Sequence, residues 1–282
     1  FTNATNAEVD YGSNGIDFVS DGFDVTHSAT NNLFNVSGRT YVSWNWKANG
    51  SGVSNTDGSI TSTVSANTEA GFSIVSYTGT NSNATVGHGL GVAPSMVICK
   101  NRTAGTGSGS WPVWHTGLSS GSSYIFLNSS SAQSSGNNNF TAAPTSTVLN
   151  LGTSDTNNTA TMIAYCFAEV EGYSAFGSYT GNGSTDGPFI YTGFKPAFVI
   201  FKSSNQSTNW MMFDATVNPV NEAKSQLWPN LANAENTNSV GIDFVSNGIK
   251  LRGALTATNA ATSYSYIYMA FAENPFKNSN AR

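Results

Sequence analysis

The chain has 282 residues, of which only 10% are charged, and its formal net charge at pH 7 is −5. A typical soluble domain carries roughly 25% charged residues, so Ser, Thr, Asn and Gly replace much of the usual Lys and Glu. The mild acidity and the absence of a basic stripe argue against nucleic-acid binding. No apolar run reaches the ~18–20 residues of a membrane span, and 12% aromatic residues argue against disorder.

Alternation with a period of two residues, typical of half-buried strands, runs through the sequence. Val42, Trp44 and Trp46 share one side of the first predicted strand. Further strands are predicted in the segments 71–79 (GFSIVSYTG), 95–100 (SMVICK), 124–128 (YIFLN), 147–152 (TVLNLG), 163–167, 197–202 (AFVIFK) and 267–271. SMVICK and AFVIFK are apolar almost throughout, which predicts central strands covered on both faces.

Helical periodicity is nearly absent. The one candidate is segment 218–230, NPVNEAKSQLWPN, where Pro219 suits a first helical turn and Pro229 ends the pattern. One or two turns are the most that this segment predicts.

The sequence repeats itself at a spacing of about 100 residues. GVAPSMVICK at 91–100 matches GFKPAFVIFK at 193–202, and TMIAYCFAE at 161–169 matches SYIYMAFAE at 265–273. We therefore predict one module at 71–171 and a second at 172–282. Segment 51–70 is either a linker or an added edge strand.

The first 50 residues match only the last part of a module. GIDFVSDGF at 15–23 is nearly identical to GIDFVSNGI at 241–249, so residues 1–50 are interpreted as the C-terminal part of a preceding module, and a longer protein is expected. Gly22 and Gly248 are expected to supply unusual backbone angles to a turn. Many short strands with turn signals between them predict an all-β fold of tandem β-sandwich modules of about 100 residues, with a partial module at the N-terminus.

The ionisable residues form no convincing catalytic pattern. His27, His88 and His115 lack metal-ligand spacing and are assigned to loops or the surface. Glu169 and Glu273 occupy equivalent FAE positions. Paired carboxylates occur in glycosidases, but a strand-closing carboxylate that accepts backbone N–H bonds is the favoured interpretation. Asp17 and Asp243, which also match, are interpreted as polar strand or turn residues.

Metal, cofactor and disulfide signals are weak. Segment 179–188, YTGNGSTDGP, resembles a Ca²⁺ loop but carries one carboxylate, Asp186, where Ca²⁺ prefers several among about 6–8 oxygens. No cofactor and no metal site is predicted. Cys99 and Cys166 lie in apolar runs, so two buried free thiols are favoured over a disulfide.

Four tryptophans are the binding candidates, because they stand beside Gly-, Ser- and Asn-rich loops: Trp111, Trp114, Trp210 and Trp228. Aromatic rings with short amides are common on surfaces that bind glycans or proteins. The alternative, favoured for most of the four, is that they fill the core or a subunit interface.

A resemblance to a known family adds to this interpretation. Segments 66–102 (ANTEAGFSIVSYTG…VICKNR) and 164–202 (AYCFAEVEGYSAFGSYTG…FVIFK), together with SWNWKANG and YIYMAFAENPFK, resemble a repeated β-rich module of marine bacteriophage virion proteins, described as tail-fibre or other structural components. The resemblance implies no catalytic residues.

The expected function is therefore that of a non-enzymatic virion structural protein, a phage tail fibre or appendage outside the cell. The expected partners are further copies of the chain, with a trimer favoured, other virion proteins, and a host-surface glycan or receptor; neither nucleic acid nor membrane insertion is expected. Two alternatives stay open: a capsid-decorating or head-fibre protein, and a secreted carbohydrate-binding module or polysaccharide-active enzyme.

Overall fold

A computed structural model describes residues 1–10, 15–25, 35–103 and 108–274. It confirms the all-β fold class. The chain divides into two compact units: Phe1–Asn6 with Lys47–Arg282, called the main unit here, and Ala7–Trp46, called the hairpin unit.

The hairpin unit contains one antiparallel strand pair, β1 (Ile16–Val19) and β2 (Gly22–Val25), with Val19 opposite Gly22. The strand predicted through Val42, Trp44 and Trp46 is wrong, because residues 40–49 are irregular. Alternating side chains favour a strand only where a neighbour can satisfy the backbone, and the described sheet of this unit contains β1 and β2 alone.

The first half of the main unit is a sandwich of two sheets. Its strands are β3 (Val53–Asn55), β4 (Ser62–Asn67), β5 (Phe72–Thr78), β6 (Ala84–Gly87), β7 (Met96–Asn101), β8 (Pro112–His115), β9 (Ile125–Phe126), β10 (Val148–Leu151) and β11 (Thr161–Phe167). One sheet has the order β3-β4-β5-β11-β7-β8-β9, and β10 pairs with β6 in the other. Segment 51–70, left open between linker and edge strand, contains β3 and β4 at the edge of the large sheet.

The second half repeats this plan. Its elements are β12 (Ser174–Thr180), β13 (Phe189–Tyr191), β14 (Pro196–Ser203), β15 (Met211–Asp214), β16 (Ala223–Gln226), β17 (Asn236–Val245), β18 (Gly248–Arg252), the short helix α1 (Thr256–Asn259) and β19 (Ser265–Ala272). The two sheets have the orders β12-β19-β14-β15 and β13-β18-β17-β16. SMVICK (β7) and AFVIFK (β14) are central strands, as their apolar runs predict.

Alternation along the strands divides the apolar residues between two layers. In β7, Val97 and Cys99 enter the core of the first sandwich, and Met96 lies on the opposite face of the sheet. In β14, Val199 and Phe201 enter the core of the second sandwich, and Phe198 lies on the opposite face. The sheet β3-β4-β5-β11-β7-β8-β9 and the sheet β12-β19-β14-β15, called the interface sheets here, therefore each have two apolar faces, one for their own sandwich and one turned outward.

The outward faces of the two interface sheets pack against each other. Phe167 of β11 lies 6.2 Å, between ring centroids, from Phe271 of β19, its counterpart in the repeat, and 6.4 Å from Phe176 of β12. Met96 and His115 line a small void together with Ile200, Trp210 and Met269. The two modules therefore form one compact unit through equivalent faces.

The helix predicted at 218–230 is wrong. Ala223–Gln226 form β16, which pairs with β17, and the described helix α1 lies elsewhere. Asn218 explains the difference, because its side-chain oxygen accepts bonds from the amides of Lys224 and Ser225 at 3.0 and 2.8 Å. Asn side chains compete in this way with helical hydrogen bonds.

The paired glycines of the repeated hairpin do not act as predicted. Neither Gly22 nor Gly248 has a positive φ, so the turn does not need them for unusual backbone angles. At Gly248 a Cβ would lie 2.2 Å from the carbonyl oxygen of Ile190 on β13, whereas at Gly22 it would meet nothing within 4 Å. Gly248 therefore permits the close approach of a neighbouring strand.

Candidate functional site

The four candidate tryptophans are not gathered into one platform. Trp114 and Trp210 are buried, with 6% and 1% of their surface exposed; Trp111 and Trp228 are half-buried. The Trp114 indole N–H donates to the carbonyl of Gly121, and that of Trp228 points to the sulfur of Met211. These indoles are tied to their own modules.

Trp111 and Trp210, which are equivalent in the repeat, each bind a carbonyl from a segment earlier in the chain. Trp210 Nε1 donates to the Phe126 carbonyl of the first module at 2.9 Å. Trp111 Nε1 donates to the Ala4 carbonyl at 3.0 Å. The start of the chain therefore accepts from the first module the same kind of bond that the first module accepts from the second.

The assignment of His115 to a loop or the surface is wrong, since it lies in strand β8 and is buried, whereas His88 lies in the loop after β6, as assigned, with its side chain buried. His115 Nδ1 accepts from the Gly117 amide at 2.9 Å, so its Nε2 carries the proton and donates to the Tyr268 carbonyl at 3.0 Å, across the module interface. Burial lowers the pKa of His115 to about 4, which keeps the ring neutral. His27 lies outside the described residues.

Two equivalent lysines are also held inward. Lys202 is fully buried, and its Nζ donates to the carbonyls of Ser203 at 2.7 Å and Gln206 at 3.4 Å. Burial lowers the pKa of Lys202 to about 8. Lys100 Nζ donates to the carbonyls of Gly109 and Thr5 and lies 5.3 Å from the centre of the Trp111 ring. Both ammonium groups thus fix loops.

The matched carboxylates bind within the fold. Glu169 accepts the amide of Phe176 at 3.1 Å, which confirms the predicted bond to backbone N–H. Glu273 forms an exposed ion pair with Lys195 at 2.8 Å. Asp243 is buried in β17 and accepts from Arg252 at 2.6 Å, while Asp17 is exposed in β1.

The oxygen atoms of the calcium-like loop are occupied by donors from the loop itself and from β18 and α1. The side-chain oxygen of Asn182 accepts from the Ser184 amide at 2.9 Å and from Asn259 at 3.0 Å. The Asp186 carboxylate lies 2.6 Å from the Lys250 ammonium, which lowers the pKa of Asp186. Among the described residues, no three His, Cys, Asp or Glu side chains are placed to share a metal ion.

The cysteines are buried free thiols, as favoured from the sequence. They lie on neighbouring strands, where Cys166 stands opposite Val97 and Cys99 opposite Ala164. Burial raises the pKa of both thiols, to about 12 for Cys166. Thiols with raised pKa are poor nucleophiles, so both serve as small core residues.

One depression in the second module is lined by polar groups. It has a volume of about 240 Å³ and lies beside Lys195, Glu273 and Asn221. The Asn221 amide, however, bonds to both the N–H and the carbonyl of Phe244, each at 3.0 Å. The Asn221 side chain therefore joins its own loop to β17.

A groove in the hairpin unit, about 670 Å³ in volume, has a mainly apolar lining. We call it the hairpin groove, and its apolar lining is Ile16, Phe18, Phe23, Val25, Tyr41, Val42 and Trp44. Phe18 is 86% exposed, whereas its repeat counterpart Phe244 is 5% exposed. The sequence analysis did not predict this surface. The match between 15–23 and 241–249 could have indicated it, because several lining residues lie in the first of these segments.

The sequence profile of a protein family described as Domain of unknown function (DUF7483) matches residues 1–275. The chain belongs to this family. The DUF7483 match includes the hairpin unit as well as both modules. No curated protein and no solved structure matches this DUF7483 chain. No helix among the described residues has the length and apolar character required to cross a membrane.

Proposed function

We propose that this chain is a non-enzymatic structural protein of a virion, an appendage such as a tail fibre, which acts in a homo-oligomer, a trimer being favoured. The observation that carries the proposal is that the buried ionisable groups make structural contacts within the fold. His115, Lys202 and Asp243 each bind a carbonyl or a fixed ion partner, so they hold strands and loops together rather than face a shared cleft.

The surface chemistry supports the same role. An exterior of hydroxyls and amides with 10% charged residues and only two cysteines, both buried and so protected from oxidation, suits a protein that functions outside cells. The resemblance of the repeated segments to bacteriophage virion modules adds independent support. Adhesion to a host-surface glycan would use exposed aromatic side chains such as Tyr41 in the hairpin groove.

Protein identification on purified particles tests the virion role. Particles from the source culture are banded by density and digested, and chain peptides are quantified against the major shell protein. Several copies per particle, retained through a high-salt wash, are expected. A chain found free in the medium and missing from the particles would contradict the proposal.

A sedimentation-equilibrium experiment on the purified chain tests the assembly separately. The expected mass is three times that of one chain, unchanged by salt because few charges are available to mediate association. A monomer at all concentrations would remove the homo-oligomer from the proposal while leaving the particle result to decide the virion role.

A further inference from the structure

The repeated hairpin occurs in two environments within one chain. In the second module, the hairpin β17–β18 has Asp243 opposite Lys250 and Val245 opposite Gly248. In the hairpin unit, β1–β2 has the same register, with Asp17 opposite Asp24 and Val19 opposite Gly22. The buried copy is therefore a template for what the exposed copy can bind.

The template shows a strand on the outer edge of the second hairpin strand. There β13 pairs antiparallel with β18, with Ile190 opposite Ile249 and Tyr191 opposite Gly248. The Leu251 amide donates to the Pro188 carbonyl at 3.1 Å. In the hairpin unit the corresponding strand, β2, pairs with β1 alone among the residues that the structure describes, and the other edge of such a strand can accept a further strand.

The template also shows what covers the hairpin's apolar face. Ile242, Phe244 and Ile249 are buried in the core cluster that includes Val199 and Phe201 of β14. Their counterparts Ile16 and Phe18 are 40% and 86% exposed, and Phe23 is half-buried in the hairpin groove. An apolar face of this kind marks an interaction surface.

Gly22 is a separate indication that a strand can pack beside β2. Its φ is not positive, and a Cβ there would meet nothing within 4 Å, so neither the turn nor the surrounding packing calls for glycine. At the template position Gly248, the space is occupied by the Ile190 carbonyl and the Phe189 ring of β13. Gly22 thus leaves room for a strand to approach β2 closely.

We propose that the hairpin unit binds, by strand addition to β2, an extended apolar segment of the β13 type carried by another polypeptide, together with the sheet that covers the hairpin groove. Charge indicates a basic partner residue. In the template, Lys250 pairs with Asp186, which immediately precedes the β13 segment; the hairpin unit has the exposed Asp24 at the position of Lys250. The partner therefore carries Lys or Arg where this chain has Asp186. The proposal is independent of the virion role.

A peptide-binding experiment on the full chain tests it. The probes are fluorescein-labelled peptides with the sequence of residues 186–195, DGPFIYTGFK, and the same peptide with Asp186→Lys. Fluorescence polarisation is expected to show saturable binding in the micromolar to millimolar range, about two- to fivefold tighter for the Asp186→Lys peptide, as an exposed ion pair contributes. A peptide carrying Ile190→Asp is the control and should bind at least tenfold more weakly.

Two variants of the chain locate the binding. Gly22→Ala should weaken binding at least tenfold with unchanged circular dichroism and melting temperature, since its methyl group has room in the free hairpin. Phe18→Ser should weaken binding through the groove. Equal binding by the wild type and both variants, or no binding by any peptide to a folded chain, would overturn the proposal. A dimer that dissociates only in Phe18→Ser and excludes the peptide would overturn it in favour of self-association.

Discussion

His115 connects the two modules through a single neutral ring. Its Nε2 proton reaches the Tyr268 carbonyl of the second module, while Nδ1 receives a bond from its own loop. A protonated ring would have two donors and would place a second N–H against the Gly117 amide. Burial without a counter-ion therefore makes the charged form costly, in accord with a pKa lowered to about 4.

Acidification should destabilise the protein through His115. The folded pKa of about 4 lies below the unfolded value of about 6.5, so the unfolded chain binds more protons between these pH values and stability falls as the pH decreases. From pH 7.5 to pH 5.0 the loss should be about 2 kcal/mol, measured by urea unfolding. His115→Gln should lose less over the same range, since the other titrating groups are unchanged. An equal loss in both proteins would contradict this role.

Trp210 makes the matching connection in the opposite direction, from the second module to the Phe126 carbonyl of the first. Trp210→Phe keeps most of the apolar volume but removes the indole donor from that carbonyl, which retains only the longer bond from the Ser129 amide at 3.3 Å. The expected cost is about 0.5–1.5 kcal/mol in the free energy of unfolding. Trp228→Phe is the control, because its indole faces only the Met211 sulfur, a weak acceptor, and it should cost less. A larger effect at Trp228 would contradict this view of the interface.

At the scale of elements, the same hairpin sequence adopts the same register whether or not a sheet covers it. The local sequence therefore specifies the register of the hairpin, as expected for alternating apolar residues around a two-residue turn. What differs is the environment, which determines the burial of Phe18 and Phe244.

Alanine at the two equivalent glycines should separate local from tertiary effects. Gly248→Ala places a methyl group against the Ile190 carbonyl and should destabilise the chain by about 1–3 kcal/mol, as overpacking does. Gly22→Ala should be near neutral, since no atom lies within 4 Å of the new carbon. Thermal unfolding followed by circular dichroism distinguishes them. Equal losses would show that both glycines serve the turn instead.

The elements show how far the sequence alone can lead. Strand β11 follows from apolar alternation, and the central strands β7 and β14 follow from short, nearly continuous apolar runs, because a strand covered on both faces is apolar on both. The helix prediction at 218–230 is wrong because the hydrogen bonds that the Asn218 side chain makes to the amides of Lys224 and Ser225 cannot be read from the sequence pattern. The burial of His115 could not be predicted either, since the outward sheet face becomes an interface only when the second module packs on it.

At the scale of the molecule, both modules of the main unit use the same outward face to meet. Phe167 and Phe271 are repeat counterparts and contact each other, so this face of each module is buried in the interface between the two modules. Such closed use of equivalent surfaces forms a finite pair rather than an open series. Further assembly of the chain must therefore use other surfaces, and the hairpin groove, with the exposed Ile16, Phe18 and Tyr41, is one of them.

The central claim is that the two modules fold as one unit through their outward sheet faces, and differential scanning calorimetry of the full chain tests it most directly. We predict one transition for the main unit with equal calorimetric and van't Hoff enthalpies. Phe271→Asp, which places a charge in the interface, should divide it into two, whereas Phe189→Asp, at an exposed side chain of β13, should leave one. Two independent transitions in the wild-type chain would contradict the claim.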